Sequence, residues 1–304
     1  MTERCAFRVL ALSLGLCFAA AAWAGKAKPA AQPAPAPKPA VVTSYQIRTD
    51  RSGNKPNWFT GQLEAVGVAY AAEGGEIARY QSLATAQTIM QHEAAKGLAA
   101  LTFDGQTKVG SLTDEKSQAL IKKLLAGTTI IEERWDAKAR SYTVVGVIPL
   151  YGANGVAMLG MDLPCVTDPM EVKTEEMALI TAIPKGHTPQ PYEAPYTGVI
   201  INCESVALTP CLFPSLLRSD GKTFWGPAAL IKPEEIAKGI IHYVPNLDTA
   251  LQQQLAGKHP LILTAIGTGR GCHPVTNIDD VFLALSQQKS AQLLQTNVVI
   301  TLGR

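Results

Sequence analysis

At Glu73-Gly74-Gly75 the hydrophobic period of the chain changes, and that switch limits the architecture more than any other feature. Before it, Ala65-Val66-Gly67-Val68-Ala69-Tyr70 alternates larger and smaller residues like a short half-buried strand. After it, Ile77, Tyr80, Leu83, Ala84, Met90, Ala94, Leu98 and Leu101 fall mostly three or four apart, which predicts one long helix with an apolar stripe. Ala78, Ala86, Ala95 and Ala99 favour that helix and let a sheet approach it closely. A strand followed by such a helix has to bury one face of each against the other.

The next segments complete a first unit. Ser111-Leu112-Thr113-Asp114 resembles a capping box, with Ser111 as the cap, opening a helix whose buried side is Ala119, Leu120, Leu124 and Leu125 and which Gly127 ends. Thr128 to Trp135 and Ser141 to Leu150, joined by Asp136-Ala137-Lys138-Ala139-Arg140, read as a hairpin. Residues 151–194 are interrupted by Pro164, Pro169, Pro184, Pro189 and Pro191 and read as a connection holding one strand near Met177 to Ile183.

The rest supplies a second unit. Tyr196 to Ile201 is a buried-strand run, and Ser219-Asp220-Gly221-Lys222 turns between Leu216-Leu217 and Thr223-Phe224-Trp225. Pro233-Glu234-Glu235 suits a helix start, Pro260 to Ile266 a strand, Ile278 to Leu294 a helix and Asn297 to Leu302 a closing strand. The expected fold class is α+β: two small domains, residues 44–150 and 195–304, each a mainly antiparallel sheet with helices packed on one face.

The first 43 residues stand outside this scheme. Arg4 and Arg8 precede an almost uncharged run from Val9 to Ala22, and Ala22-Trp23-Ala24 has the small-x-small form of a signal-peptidase site, which predicts a leader over residues 1–24 cut after Ala24. The run is shorter than the roughly 20 apolar residues of a membrane-spanning helix, so no span is expected in the mature chain. Cys17 follows Leu16, where a lipoprotein signal needs a small residue. Residues 25–43 are rich in Ala, Pro and Lys and predict an extended tether. Export through such a leader places the mature chain in the periplasm.

The net charge of +2 for the whole chain falls by one when Glu3, Arg4 and Arg8 leave, and no basic block remains, which argues against a nucleic-acid partner. Cys165, Cys203, Cys211 and Cys272 are the cysteines of the mature chain and are all disulfide candidates. Four cysteines allow three pairings; the shortest loop runs from Cys203 to Cys211. Cys272-His273, after Gly267-Thr268-Gly269-Arg270-Gly271, is the strongest candidate for a thiol nucleophile and base, against a plainer reading as a flexible glycine loop with Cys272 in a disulfide. That glycine run lacks the lysine and spacing of a phosphate-binding loop. His242, His259 and His273 are scattered, with no pair at metal-ligand spacing, so no metal and no cofactor is expected. Trp135 reads as a core or edge aromatic rather than a ligand stacker, and Glu132-Glu133, Glu175-Glu176, Glu234-Glu235 and Asp279-Asp280 are sequence neighbours that point apart.

The stretch from Gly67-Val68-Ala69-Tyr70 through the Ala-rich helix to Trp135 and Tyr142-Thr143-Val144-Val145 resembles the bacterial Lpp-twenty envelope lipoproteins, a family to which the N-terminal domain of flagellar assembly protein T is similar. Tyr196 to Ile201, Leu208-Thr209-Pro210, Pro214-Ser215-Leu216-Leu217, Asp220-Gly221 and Asn297 to Ile300 resemble the segment that often follows this domain in exported proteins. The resemblance implies a non-catalytic envelope protein of binding or assembly type, with an envelope protein as partner, acting at the flagellar base or peripherally at the outer membrane. It carries no catalytic residues with it. The competing expectation is an exported cysteine-dependent hydrolase or thiol-redox enzyme using Cys272.

Overall fold

The computed structural model describes residues 52–71, 75–168, 171–179, 196–227, 241–277, 279–280 and 298–303. The leader and tether expected over residues 1–43, the turn at Glu73-Gly74, the helix expected at Pro233 and all but Asp279-Asp280 of the helix expected over Ile278 to Leu294 lie outside the described residues.

Four antiparallel strands, β1 (Gly53–Asn57), β2 (Gln62–Tyr70), β3 (Thr129–Asp136) and β4 (Ser141–Pro149), form the first sheet in the order β1-β2-β4-β3. β2 and β4 pair along their whole length, from Gln62 opposite Pro149 to Tyr70 opposite Ser141. The hairpin between β3 and β4 turns where expected: the Asp136 carboxylate accepts from the N–H groups of Lys138 and Ala139 at 2.8 and 2.9 Å.

Helix α1 (Glu76–Ala100) crosses this sheet through Ser82, Ala86, Met90, Ala94, Gly97 and Leu98. The buried face is therefore not the expected stripe over its first turns. Ile77 and Tyr80 are 77% and 71% exposed, because the small residue Ala86, where the helix backbone meets β2, sets the face that turns inward. Two sheet glycines admit the helix: a Cβ on Gly67 would lie 1.9 Å from the Ala86 carbonyl oxygen, and one on Gly146 would lie 2.4 Å from Met90 Sδ. Helix α2 (Glu115–Ala126) starts three residues later than the capping box suggested. Asp114 is its cap and accepts from the Ser117 N–H at 2.8 Å, whereas Ser111 closes a short 3₁₀ turn. Only Leu124 of that helix is fully buried, and Ala119 is exposed.

Residues 150–168 do more than connect. Leu150, Val156, Ala157, Leu159 and Val166 belong to the core of the first sheet, together with Leu212 and Phe213 from the second half of the chain. β5 (Met177–Leu179) lies within the strand expected at Met177 to Ile183.

The second sheet has eight strands: β5, β6 (Gly198–Asn202), β7 (Leu216–Arg218), β8 (Thr223–Trp225), β9 (Ile241–Val244), β10 (Pro260–Gly269), β11 (His273–Thr276) and β12 (Val298–Thr301). The α+β class and the two sheets, suggesting two small domains, are as expected. The second sheet carries both directions: β10 runs antiparallel to β5 and β11, and β7 to β8, while a second set of pairs is parallel. β6 pairs parallel with β10 and β12, β12 with β9, and β7 with β11. The physical reason is burial on both faces: Val199, Ile201, Leu261, Leu263, Val298 and Ile300 fill one core, while Ile200, Ile262 and Val299 face another with Ala250 of the short helix α3 (Leu247–Gln252). Strands covered on both sides read as continuous apolar runs, the pattern of parallel pairing. Both sheets lie in one compact unit, residues 48–304, and Trp58 packs against both cores.

Candidate functional site

Three segments meet around Cys272. The first follows α1. Its chain turns back at Asp104, whose carboxylate accepts from the N–H groups of Gln106 and Thr107 at 3.1 and 2.7 Å, and Gly105 takes φ +82°. A side chain there would collide with the Arg270 carbonyl at 2.7 Å and Cys272 Sγ at 2.9 Å, so this turn needs glycine on two counts.

The second segment runs from Cys203 to Ser215, between β6 and β7. It is stitched across the molecule by backbone bonds: Thr209 N–H to the Gly271 carbonyl at 2.9 Å, Leu212 N–H to Thr102 at 3.0 Å and Phe213 N–H to Phe103 at 2.7 Å. Phe213 stacks on Phe103 with centroids 6.0 Å apart. The Tyr243 hydroxyl accepts from the Cys211 N–H at 3.3 Å and donates to its carbonyl at 2.9 Å, and the Tyr151 hydroxyl donates to the Leu212 carbonyl at 3.1 Å. Burial raises the pKa of both tyrosines, which keeps them as neutral donors.

The third segment is the turn between β10 and β11. The glycine run expected to be a flexible loop is instead the end of β10 and a tight turn. Gly267 and Gly269 are strand residues against which Ala178 and Leu217 pack too closely for a Cβ, at 2.4 and 2.5 Å. Arg270 and Gly271 both take positive φ, 47° and 73°, and the Cys272 N–H donates to the Gly269 carbonyl at 3.2 Å, the geometry of a primed hairpin turn. An ion pair holds the turn from outside, with Arg270 Nε 3.2 Å from the Glu176 carboxylate. That contact lowers the Glu176 pKa.

His273 is fully buried at the start of β11. Its Nδ1 accepts from the Ser215 N–H at 2.9 Å and its Nε2 lies 2.9 Å from the Asp104 carbonyl oxygen. A backbone N–H can only donate and a carbonyl oxygen can only accept, so the proton resides on Nε2 and both ring nitrogens are committed to the backbone. The imidazole ties the first-sheet turn to the second sheet and has no lone pair left for a neighbouring thiol.

The sulfurs of Cys211 and Cys272 lie 2.8 Å apart, in the geometry of a thiol hydrogen bond, and both residues are at most 1% exposed. Burial disfavours a thiolate at either sulfur. At Cys272 burial is outweighed only by the Cys211 S–H donating to it together with the His273 imidazole beside it, and its pKa is lowered; burial and the same sulfur contact hold Cys211 well above the ordinary thiol range.

Cys165, Cys203, Cys211 and Cys272 are all unlinked in this structure. Of the candidates, the fold brings together Cys211 and Cys272. Cys203 lies in another core with its N–H donating to Thr301 Oγ1 at 3.1 Å, and Cys165 packs half-buried against the first core. Burial pushes the Cys165 thiol up to about 12.

Among the described residues, Cys211, Cys272 and His273 are the group whose ligand atoms lie close enough together, within 4.8 Å, to hold a metal ion. The chemistry of the set does not fit one, because His273 would have to surrender a backbone bond to offer a nitrogen, leaving two thiols where a structural zinc takes four ligands. Trp135 is an edge aromatic as expected, 5.2 Å from the Tyr142 ring with the Arg79 guanidinium 5.5 Å over it. Glu132 pairs with Arg134, and Glu133 accepts from Gln87. Asp104, Ser215 and Tyr243 escaped the sequence reading because two of them act through backbone atoms and the third through contact across 32 residues.

Residues 198–304, about a third of the chain, match the family model described as the second domain of Treponema pallidum Tp0624. The matched segment begins at β6 and contains both Cys211 and the Cys272-His273 turn. No curated protein matches the chain. Among the described residues no helix is long and apolar enough to cross a membrane.

Proposed function

We propose that the protein is a non-catalytic, exported envelope protein that works by binding or assembly in the periplasm. The observation that carries this reading is the state of His273. An enzyme using Cys272 needs a base that can take its proton and a path for substrate, and here the imidazole holds two backbone groups while the sulfur is 1% exposed. The resemblance of the first unit to the Lpp-twenty lipoproteins, and of residues 1–24 to a cleaved leader, point the same way. A binding surface of suitable chemistry lies at one end of the first sheet. Tyr70, Ile77 and Tyr80 are 65%, 77% and 71% exposed, beside Arg79, which reaches the Tyr142 hydroxyl at 3.2 Å and lies over Trp135. Tyrosine, tryptophan and arginine are the residues that most often anchor protein partners.

One observation favours the other reading, a thiol-redox enzyme using Cys272: the close approach of two thiols, one of them with a lowered pKa. Burial opposes it, since redox-active cysteines are partly exposed. The experiment is affinity capture from envelope extracts with wild-type protein, Tyr80→Asp and Cys272→Ala, together with assays of hydrolase and disulfide-reductase turnover. Capture lost in Tyr80→Asp and kept in Cys272→Ala, without turnover, supports the binding reading. Turnover abolished by Cys272→Ala in a folded variant overturns it.

A further inference from the structure

We propose that Cys211 and Cys272 are a disulfide pair, the covalent link that fastens the β6–β7 segment to the β10–β11 hairpin, and that Cys165 and Cys203 stay free thiols. The two sulfurs at 2.8 Å are less than about 1 Å beyond bonding distance. Both are also held from behind. Cys211 has its N–H and its carbonyl on the Tyr243 hydroxyl. Cys272 is fixed by its N–H bond to Gly269, by the Thr209 bond to neighbouring Gly271, and by His273 beside it. Among the described residues no sulfur lies as close to the other two cysteines, since Cys203 sits among Val199, Leu208 and Tyr243 and Cys165 packs against the first core. Loop length alone favoured Cys203 with Cys211; the fold points these two into different surroundings.

The reaction is thiol–disulfide exchange with a disulfide-bearing oxidant, either a protein or a small molecule. The Cys272 thiolate attacks the oxidant's disulfide, one of the oxidant's sulfurs leaves as a thiolate, and a mixed disulfide remains. The Cys211 thiolate then attacks the Cys272 sulfur, the new bond forms, and the oxidant's second sulfur leaves. The protons of the two cysteines end on the two thiols of the reduced oxidant. Because both sulfurs are at most 1% exposed, the first attack takes place before residues 203–215 close over the hairpin. Once formed, the link is shielded from the same chemistry run backwards. This inference concerns the scaffold and does not depend on the binding reading.

The test is to refold the full chain in a mixture of oxidised and reduced glutathione, block free thiols, digest without reductant and identify linked peptides by mass. The expected result is one native link, Cys211 to Cys272, with a mass lower by about 2 Da than the reduced protein and with Cys5, Cys17, Cys165 and Cys203 of the full chain carrying the blocking group. Cys211→Ser is expected to free Cys272 for blocking, and Cys272→Ser to free Cys211. Should a variant fail to fold, the wild-type map decides alone. A Cys203–Cys211 link, or Cys211 and Cys272 both blocked after refolding, overturns the proposal. So does zinc, added alone to the reduced protein, binding at one equivalent and protecting both sulfurs.

Discussion

Replacing Gly67 by alanine tests whether the helix–sheet contact is set by backbone or by side chains. The added Cβ would sit 1.9 Å from the Ala86 carbonyl oxygen and 2.5 Å from the Met90 nitrogen. Neither is the end of a side chain, so the clash is relieved only if α1 lifts from β2, uncovering Ala86, Met90 and Ala94, each at most 1% exposed. Overpacking that side chains can absorb costs about 1–3 kcal/mol; a backbone blocker places Gly67→Ala at or above the upper end, about 3 kcal/mol or more. For a chain of this size that is a fall of about 6–12 °C in Tm. Gly146→Ala is the matched control. Its blockers are Met90 Sδ at 2.4 Å and Thr128 Cγ2 at 2.8 Å, and an unbranched thioether can move aside, so the expected cost is about 1–2 kcal/mol. Met90→Ala should relieve Gly146→Ala in the double variant and leave Gly67→Ala unrelieved, since its blockers are main-chain atoms. Urea denaturation followed by far-UV circular dichroism reads the wild type, the three single variants and the two double variants. Equal costs for the two glycine variants, or rescue of Gly67→Ala by Met90→Ala, would refute the reasoning.

His273→Ala should lower stability by about 2–4 kcal/mol, because it strands a buried N–H at Ser215 and a buried carbonyl at Asp104; urea midpoints check it, and a change under about 0.5 kcal/mol would show that water replaces the ring. Phe213→Ala should cost about 3–5 kcal/mol through loss of its stack on Phe103, again read from the urea midpoint. Burial lowers the His242 pKa below its ordinary 6.5, so the unfolded chain binds that proton first and stability should fall as pH drops from about 7 to 5.5. The ring keeps solvent contact, so the slope should stay well under about 1.4 kcal/mol per pH unit. His242→Gln should flatten that part of the stability profile and leave unchanged the part below pH about 4.5, where Glu176 loses its bond to Arg270.

Strands β2, β3 and β4 of the first sheet were legible because their signals are local, whereas β1 (Gly53–Asn57), which carries no apolar alternation, was not. Asp136 to Arg140 turns the hairpin through bonds two and three residues apart, and the period change at Glu73-Gly74-Gly75 marks where α1 begins. The helix face was misread at Ile77 and Tyr80 because an apolar stripe shows which residues could be buried, while Gly67 and Ala86, which set the contact, carry almost no hydrophobic weight. In the second sheet, Gly198 to Asn202 and Val298 to Thr301 were visible as strands, but not their parallel pairing, which joins residues about a hundred apart. The same limit hid the site. Cys272 and His273 announced themselves as a reactive pair in sequence, whereas what decides their chemistry comes from Asp104 and Ser215, whose contribution is a carbonyl and an N–H that every residue possesses.

The placement of the two thiols also constrains the order in which the molecule can assemble. Cys211 meets Cys272 across 61 residues, whereas Cys203 and Cys211 are eight apart, and in an unfolded chain the shorter loop closes more often. The native pair therefore gains its advantage only when the β10–β11 turn already exists and Thr209 has found the Gly271 carbonyl. That turn is local, held by Arg270 and Gly271 and the Cys272 to Gly269 bond, and can form early. The parallel pairing of β6 with β10 joins Gly198 to Pro260 and forms more slowly. An oxidant acting before the hairpin forms would favour the Cys203–Cys211 link and pull Cys203 away from the core it shares with Val199 and Tyr243. Acting after residues 203–215 close, it would find both sulfurs buried. Efficient pairing thus requires exchange in the interval between hairpin formation and closure of the segment over it, and a reductant or isomerase that reopens a premature short loop should raise the yield of native protein.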